Sequence, residues 1–574
     1  MTAPPAMPGA EWWRHAVIYQ IYPRSFADSD GDGVGDLPGI VSRLSAVADL
    51  GADAVWLSPF YRSPMNDAGY DVADFRAVDP IFGELADAEA LIAEAHRLGL
   101  RVVVDLVPNH TSNEHAWFRA ALASPPGSRE RARYVFRDGL GPGGDEPPNN
   151  WRSTFGGSAW TRITEADGSP GQWYLHLFDT TQPDLDWDNR EVHEEVLSVM
   201  RFWLDRGVDG FRVDVAHSLV KADDLPHWHY PEDAPPTFLT DDDPEGLRPP
   251  MWDQEGVHDI YREWRKLLDS YDGDRMAVAE AWVSPYWRLA RYARPDELHQ
   301  AFNFIHLETP WRAADQRHAV EVSLAGSAEH GSPVTWVLSN HDVVRHTTRF
   351  GYPPGDPVGS GQNGIGPRDP QPDAALGLRR ARAATLTMLG LPGSAYLYQG
   401  EELGLPEVTT LPDDARQDPV FRRTGGERIG RDGCRVPVPW SGDSPSYGFG
   451  PGEAAWLPQP PSWAELSREA QEGVAGSTFE MYRHVLRLRR EHRLGVGGHE
   501  DLEWLAGYDA DTTIAYRRPL PDGGAIAVLA NLGPDLVELP AGAELLVSSA
   551  PLTTTDAGPA LGTDVAAWVR LAAG

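Results

Sequence analysis

The sequence has 574 residues, more than a single hydrophobic core accommodates, so two or three domains are expected. Its hydrophobic content of 41% is that of an ordinary folded protein, but its net charge of −35 repels phosphate backbones and anionic lipid, which excludes nucleic acid and membranes as partners. The single cysteine, Cys434, excludes an internal disulfide and a cysteine-based zinc site.

The first residues, 1–15, predict a tail. They contain neither the basic segment nor the apolar segment of a secretory signal. No apolar run in the sequence approaches the roughly 20 residues that span a bilayer. We therefore expect a cytoplasmic protein.

Strand and helix patterns alternate in the first part of the chain. Strands are predicted over 17–26, 53–60 and 101–107, where apolar runs lie between turn signals. Helices are predicted over about 38–50 and in the segment that ends at Gly99, because apolar residues recur at helical spacing and a glycine follows each helix. This order is typical of an α/β fold.

Regular patterns stop after the third strand. Residues 111–178 are rich in Gly, Pro, Asn and Trp and are too long for a simple loop, which predicts a small inserted domain. A helix is then predicted over 189–206. Residues 221–255 are predicted to be a polar, Pro-rich excursion between regular elements, and residues 351–376 a Gly/Pro-rich loop.

Five further strands complete the pattern, predicted over 210–216, 276–282, 301–307, 334–340 and 394–400. The helices between and after them are predicted near 256–270, 376–390 and 477–491. Eight strands alternating with helices predict a (β/α)8 barrel. The residues beyond about 496 alternate apolar and polar side chains between turn signals, which predicts an all-β C-terminal sandwich domain.

The predicted domain boundaries follow from these elements. The barrel comprises residues 1–106 and 179–492, the inserted domain after strand 3 comprises 107–178, and the C-terminal domain comprises 493–574.

Chemically active side chains follow four of the strands. In the stretch 210–218, GFRVDVAHS, alternation places Arg212 and Asp214 on the face opposite the apolar side chains. A neighbouring guanidinium is expected to lower the pKa of Asp214 and keep it ionised, although a purely structural ion pair explains this segment equally well. Three other strands carry or end in residues of the same kinds, namely Glu280, His341, Asp342, Asp105, Asn109 and His110.

These residues point to one shared site, because active sites of α/β barrels lie at the carboxyl ends of the strands. Two carboxyl groups from different strands suit cleavage of a glycosidic bond. Asp214 is predicted as the ionised nucleophile, and Glu280, in an apolar context that raises its pKa, as the acid/base. Asp342 is a third acid, with His341 and His110 as donors to sugar hydroxyls.

The loop DSDGDGVGD predicts a cation site. Oxygen ligands recur at every second residue, as in the first half of an EF-hand loop, at Asp28, Asp30, Asp32, the Val34 carbonyl and Asp36. We expect one bound Ca²⁺, with Mg²⁺ as the alternative metal and a solvated acidic turn as the alternative reading. No organic cofactor is expected.

Five stretches resemble glycoside hydrolase family 13, the α-amylase superfamily, and they occur in the family's order: DLVPNH (105–110), QPDLDW (182–187), GFRVDVAHS (210–218), AEAW (279–282) and SNHD (339–342). The resemblance implies that Asp214 is the nucleophile, Glu280 the acid/base and Asp342 the residue that holds and distorts the sugar. It also implies a retaining mechanism with a covalent glucosyl-Asp214 intermediate. Other residues would line the same subsite, namely His110, Arg212 and His341.

Two further stretches, GYDV (69–72) and RDGCRVPVPW (431–440), are similar to the oligo-1,6-glucosidase and α-glucosidase group. This resemblance implies that Asp71 binds the non-reducing end of the substrate, that Tyr70 stacks on the sugar ring, and that Arg431 pairs with Asp71. Such a pair closes the pocket and makes the enzyme exo-acting.

The stretch YLHLF (174–178), followed by QPDL, also matches that group and adds Phe178 and Gln182 to the pocket wall. The group usually has Asn where this chain has Asp186, so the role of Asp186 stays open.

The expected substrates are short α-glucosides such as maltose and maltooligosaccharides, with the α-1,4 linkage preferred. Val215 favours α-1,6 in the resembling group, but DVAH departs from the DVIN of the α-1,6 enzymes, so an oligo-1,6-glucosidase stays open. A transglucosylase of the sucrose or trehalose type is a further alternative, and a non-catalytic family member is a remote one. A monomer or homodimer is expected.

Overall fold

The computed structural model describes residues 11–230, 248–358, 363–556 and 558–573. The central sheet is built from eight parallel strands: β1 (Val17–Ile21), β2 (Ala54–Leu57), β3 (Arg101–Leu106), β4 (Gly210–Val213), β5 (Met276–Ala279), β6 (Gln300–Ala301), β7 (Thr335–Val337) and β8 (Ser394–Tyr398). Their order is β6-β5-β4-β3-β2-β1-β8-β7. A parallel bridge from Phe302 to Thr335 joins the two edges and closes the barrel.

Eight helices follow the strands: α1 (Leu37–Leu50), α2 (Leu85–Arg97), α3 (Arg190–Leu204), α4 (Val257–Leu268), α5 (Tyr286–Ala290), α6 (Ala313–His330), α7 (Ala374–Leu389) and α8 (Thr478–Glu491). Several begin where a polar side chain accepts a first-turn N–H, as Asp36 does from Gly39 and Ser477 from Glu480. Within the described ranges, no helix is both long and apolar enough to cross a bilayer.

Strand β6 is shorter than predicted. The apolar run 301–307 was expected to be a strand, but the chain leaves the sheet after Ala301 and forms a helix over Phe304–Glu308. Asn303 caps this helix by accepting the N–H of His306. A short apolar run is compatible with a buried strand or a buried helix, and periodicity alone does not separate them.

An antiparallel sheet lies between β3 and α3, in the predicted inserted segment, and consists of Phe136–Arg137, Trp160–Thr164 and Pro170–Leu175. The chain after β4 packs against it, where Asn149 donates to the Leu225 carbonyl and Trp151 to the Pro226 carbonyl. Part of the predicted excursion 221–255 therefore packs against the inserted segment. Residues 231–247 lie outside the described ranges.

Short elements occupy the other connections. They are a hairpin of Tyr61–Arg62 and Asp74–Val78 and helices over Ala116–Leu122, His346–Arg349, Pro419–Arg423, Trp463–Leu466 and Arg468–Gln471. Of the predicted tail, residues 1–10 lie outside the described ranges, whereas Trp13 is buried. Residues 359–362 of the predicted 351–376 loop also lie outside them.

The C-terminal part is all-β, as predicted. One antiparallel sheet contains Glu503–Trp504, Thr513–Pro519, Ala525–Asn531, Glu544–Ser548 and Val565–Leu571, and a second contains Val537–Glu538, Thr553–Thr555 and Gly558–Leu561. Tyr516 and Trp568 donate hydrogen bonds to carbonyls of α7, so this domain packs on the barrel. The predicted fold class, a (β/α)8 barrel with an all-β C-terminal domain, is confirmed.

Candidate active site

Asp214 and Glu280 lie at the carboxyl ends of the neighbouring strands β4 and β5. The Asp214 N–H donates to the Leu106 carbonyl of β3, and the Glu280 N–H donates to the Val213 carbonyl of β4. Their side chains are 8% and 11% exposed. The parallel ladder therefore delivers both acids to the same end of the barrel, as the sequence predicted.

Arg212 connects the acids inside the barrel. Its Nη1 lies 2.7 Å from Asp105 Oδ1 and 2.5 Å from Asp214 Oδ1, and its Nη2 lies 3.4 Å from Glu280 Oε2. Tyr70 contacts the same guanidinium with its ring face, at 5.6 Å. The buried guanidinium of Arg212 therefore contacts three carboxyl groups.

Burial raises the pKa of Asp214 well above its ordinary range and also raises the pKa of Glu280. The Arg212 guanidinium opposes the rise at both groups, and Glu280 adds to the rise at Asp214. The expectation that Arg212 lowers the pKa of Asp214 below its ordinary value is wrong, because it left out the desolvation of a buried carboxylate.

Two donors that the sequence did not reveal hold the Glu280 carboxyl group. The Val215 N–H lies 2.6 Å from Oε2, and Trp282 Nε1 lies 2.7 Å from Oε1. Val215 has a φ of 43°, which is strained for a β-branched residue. It follows the end of β4 at Val213, which lies three residues before the predicted strand end at 216. The strained backbone of Val215 directs its N–H toward the Glu280 carboxyl group.

Asp342 is surrounded by positive or polar groups. Arg431 Nη1 lies 3.0 Å and Arg435 Nη2 2.9 Å from its Oδ1, and His341 Nε2 lies 3.2 Å from its Oδ2. Burial raises the pKa of Asp342, but these three neighbours outweigh burial and hold the pKa below its ordinary value. With its side chain 27% exposed, Asp342 is an ionised acceptor that a ligand can reach.

The predicted pairing of Asp71 with Arg431 is wrong. Asp71 is fully buried, and its carboxylate accepts hydrogen bonds from Ser63 Oγ and from the backbone N–H groups of Asn66 and Asp67. A short carboxylate can cap the turn of its own loop in this way. Asp71 therefore shapes the loop and contributes no partner to Arg431.

Asp67 takes the place predicted for Asp71. Arg431 Nη2 lies 2.7 Å from Asp67 Oδ1, and Gln182 Nε2 donates to Asp67 Oδ2 at 3.0 Å. Burial raises the pKa of Asp67 to about 6, against the opposing effect of Arg431. Arg431 also contacts Asp418 at 2.7 Å. The signal for Asp67 was present as the first acid of the stretch DAGYD (67–71).

The other predicted wall residues meet at this pocket. His110 Nε2 lies 3.2 Å from Gln182 Nε2 and 3.2 Å from the Tyr70 carbonyl, and the His110 and Phe178 rings are 5.3 Å apart. The Tyr70 ring stacks on His341 at 5.3 Å. Burial lowers the pKa of His110 to about 4 and that of His341 well below 6.5, so both imidazoles are neutral at physiological pH.

Asp186, whose role the sequence left open, caps the turn before α3. Its carboxylate accepts the N–H of Asp188, and its backbone carbonyl accepts the N–H of Asn189. These contacts indicate a structural role.

The loop 28–36 brings together part of the predicted ligand set. Ligand oxygens of Asp28, Asp30 and Asp36 lie within 4.8 Å of one another. Asp32 is outside this group, and its carboxylate accepts the N–H of Val34. Three clustered carboxylates are the hard oxygen donors that Ca²⁺ and Mg²⁺ prefer, so this part of the loop fits a divalent cation.

Known proteins share this fold and these motifs. The family model described as alpha amylase, catalytic domain, matches residues 20–498, and a domain of unknown function, DUF3459, matches residues 506–570. A probable alpha-glucosidase of Rhizobium meliloti (strain 1021) is 39% identical over 84% of this chain and 83% of its own length. An oligo-1,6-glucosidase of Parageobacillus thermoglucosidasius is 35% identical over 86% of each chain.

A solved structure extends the similarity to three dimensions. The crystal structure of an alpha-glucosyl transfer enzyme, XgtA, matches with a TM-score of 0.84 at 36% identity and covers 98% of this chain and 100% of that one. Together with two acids at the ends of adjacent barrel strands, these matches show that the chain is a glycoside hydrolase and belongs to family 13, the α-amylase family.

Proposed function

We propose that the protein is an exo-acting, retaining α-glucosidase that releases glucose from the non-reducing end of short α-glucosides. The observation that carries this proposal is the position of Arg431, which contacts Asp342 on one side and Asp67 on the other. A guanidinium held by the carboxylates of Asp342, Asp67 and Asp418 closes the pocket behind the sugar that Asp342 binds. Such a pocket admits a chain end and excludes a continuous polysaccharide.

The two acids act in sequence. Asp214 attacks the anomeric carbon while Glu280 gives its proton to the leaving oxygen, which leaves glucose as an ester on Asp214. Glu280 then takes a proton from water, the water oxygen attacks the anomeric carbon, and the ester bond to Asp214 breaks. Two inversions retain the α configuration.

The geometry around Arg212 supports this division of roles. Arg212 Nη1 lies 2.5 Å from Asp214 Oδ1, whereas its Nη2 lies 3.4 Å from Glu280 Oε2, so the guanidinium stabilises a charge on Asp214 from the shorter distance.

Two finer parts of the proposal are the glycosidic linkage that is cleaved and the acceptor, water or a sugar, that receives the glucose. We infer an α-1,4 preference from the stretch DVAH, with α-1,6 cleavage as the alternative that Val215 and the oligo-1,6-glucosidase relative support. One methyl group in an apolar pocket shifts selectivity by roughly 10- to 200-fold, so neighbouring residues can reverse the effect of Val215. Similarity to a glucosyl transfer enzyme supports transfer to sugar acceptors as the second candidate activity.

Substrate comparison tests the proposal. We expect glucose from maltose and maltotriose, a higher kcat/KM for maltose than for isomaltose, and little change in the iodine colour of soluble starch, because the closed pocket admits only chain ends. Val215→Thr should raise the ratio of maltose to isomaltose hydrolysis further. Rapid internal cleavage of starch would contradict the exo assignment, and trisaccharides formed as the main product at high maltose would favour transfer.

A cation in the loop 28–36 is a second proposal, with Asp28, Asp30 and Asp36 as ligands and Ca²⁺ as the preferred ion. Asp36 also caps α1, so a bound cation would tie the loop to that helix. We expect a chelator to lower Tm clearly and to leave the turnover of the remaining folded enzyme nearly unchanged. The check is thermal unfolding with and without chelator beside metal analysis of the native protein. An unchanged Tm, with no metal in the native protein, would contradict the site.

A further inference from the structure

Lys221, one of only two lysines in the chain, is buried beside the pocket wall with its side chain 6% exposed. Its Nζ lies 2.8 Å from Asn109 Oδ1 and 2.8 Å from Asp184 Oδ2. The ammonium therefore joins three segments, the chain after β4, the end of β3 and the stretch before α3. Its pairing with Asp184 compensates both buried charges.

These contacts determine how the Asn109 amide is oriented. An ammonium donates hydrogen bonds and accepts none, so the Asn109 atom that faces Lys221 is the carbonyl oxygen. Nδ2 is then the atom that faces His110, and it lies 3.1 Å from His110 Nδ1. Because an amide nitrogen only donates, Nδ1 accepts, and the proton of the neutral imidazole resides on Nε2.

The other side of the ring contacts two further residues of the predicted pocket wall. His110 Nε2 lies 3.2 Å from Gln182 Nε2, which already donates to Asp67, and 3.2 Å from the Tyr70 carbonyl. In the tautomer that Asn109 selects, this edge carries an N–H that donates to the Tyr70 carbonyl. In the opposite tautomer it would carry a lone pair, and the hydrogen bond to the Tyr70 carbonyl would be lost.

We propose that Lys221 is a positioning residue that, through Asn109, holds His110 in the tautomer with the proton on Nε2 and so keeps the hydrogen bond from His110 to the Tyr70 carbonyl, which fixes both residues in the pocket wall. The proposal deepens the proposed function and rests on it, since it assumes that an α-glucoside occupies the pocket. Burial keeps His110 uncharged, and the nearby Lys221 charge acts in the same direction while Asp184 opposes it. Lys221 itself acts only through its neighbours.

The test is a double-mutant cycle with kcat/KM for maltose as the readout. We expect Lys221→Met to lower kcat/KM by about 10- to 100-fold, on the scale seen when the hydrogen-bond partner of a metal-bound histidine is removed. Lys266→Met, which changes the other lysine at an exposed position of α4, is the matched control and should leave kcat/KM unchanged. In a His110→Ala background, Lys221→Met should cause little further loss, because the group through which it acts is gone.

Additive losses from Lys221→Met and His110→Ala would overturn the proposed relay from Lys221 through Asn109 to His110, since they would show that Lys221 acts by another route. If Lys221→Met does not fold, Asn109→Leu carries the same cycle, because it interrupts the relay and keeps the pair of Lys221 with Asp184. A wild-type enzyme inactive on every α-glucoside would refute the proposed function itself. An active wild type with unaffected Lys221→Met and Asn109→Leu variants would refute only the relay.

Discussion

Replacement of Asp214 by Asn is expected to lower the turnover of p-nitrophenyl α-glucoside by about 10⁴-fold or more, the scale seen when a nucleophile is removed. The amide has no charged oxygen to form the ester with the anomeric carbon. The fold should persist, because Arg212 keeps its contact with Asp105 at 2.7 Å after the change.

The measurement is kcat/KM for two substrates beside Tm for each variant. Asp223→Asn, an exposed acid a few residues further along the chain, is the matched control and should behave as wild type. Glu280→Gln should lose more kcat/KM on maltose than on the p-nitrophenyl substrate, because p-nitrophenolate leaves with little help from an acid. Activity above a few per cent of wild type in a clean Asp214→Asn preparation would remove Asp214 from the role of nucleophile.

The second large effect is expected at Asp67. Asp67→Asn should lower kcat/KM for maltose by about 10²- to 10³-fold, because the buried contact with Arg431 loses its charge and the guanidinium keeps only Asp342 and Asp418 as acidic partners. Asp71→Asn should act mainly on stability. Its carboxylate accepts three hydrogen bonds within the loop, and each one lost costs about 1 kcal/mol or more when a donor is left buried.

Measurements of both Tm and kcat/KM on the two variants show which acid, Asp67 or Asp71, is the functional partner of Arg431. We expect Asp67→Asn to keep a Tm near that of the wild type with a large loss of kcat/KM, and Asp71→Asn to show the opposite pattern. The reverse result would restore Asp71 as the partner that the motif GYD implied. Both substitutions replace a buried carboxylate by an amide of the same shape, so each is the control for the other.

Much of the barrel could be predicted from local sequence. Helix α1 illustrates why, since its cap Asp36, its apolar spacing and Gly51 with a φ of 109° all lie within the helix or next to it. The same holds for β3 and β4, whose apolar runs are bounded by turns. The exception is β6, where the apolar run after Ala301 became a helix because its packing inside the barrel, not its periodicity, selects the conformation.

Residue types at strand ends were sufficient to predict Asp214, Glu280 and Asp342 as members of one site. Parallel strands bring their carboxyl ends to the same edge whatever their separation in sequence, so the barrel topology supplies the proximity. The donors to Glu280 were not predictable, since the Val215 N–H is a backbone group whose direction depends on an unusual φ.

The sequence by itself determined the fold class and the family, because each depends on local pattern or on motif order, and it predicted the acids that we propose as catalytic. Only the tertiary structure decided that Arg431 meets Asp67 rather than Asp71, a pairing across 364 residues, and that Asn109 links Lys221 to His110. It also decided the sign of the pKa shift at Asp214. The physical reason is the same in each case: a partner or a pKa depends on distance and burial in space, which neighbours in the sequence do not specify.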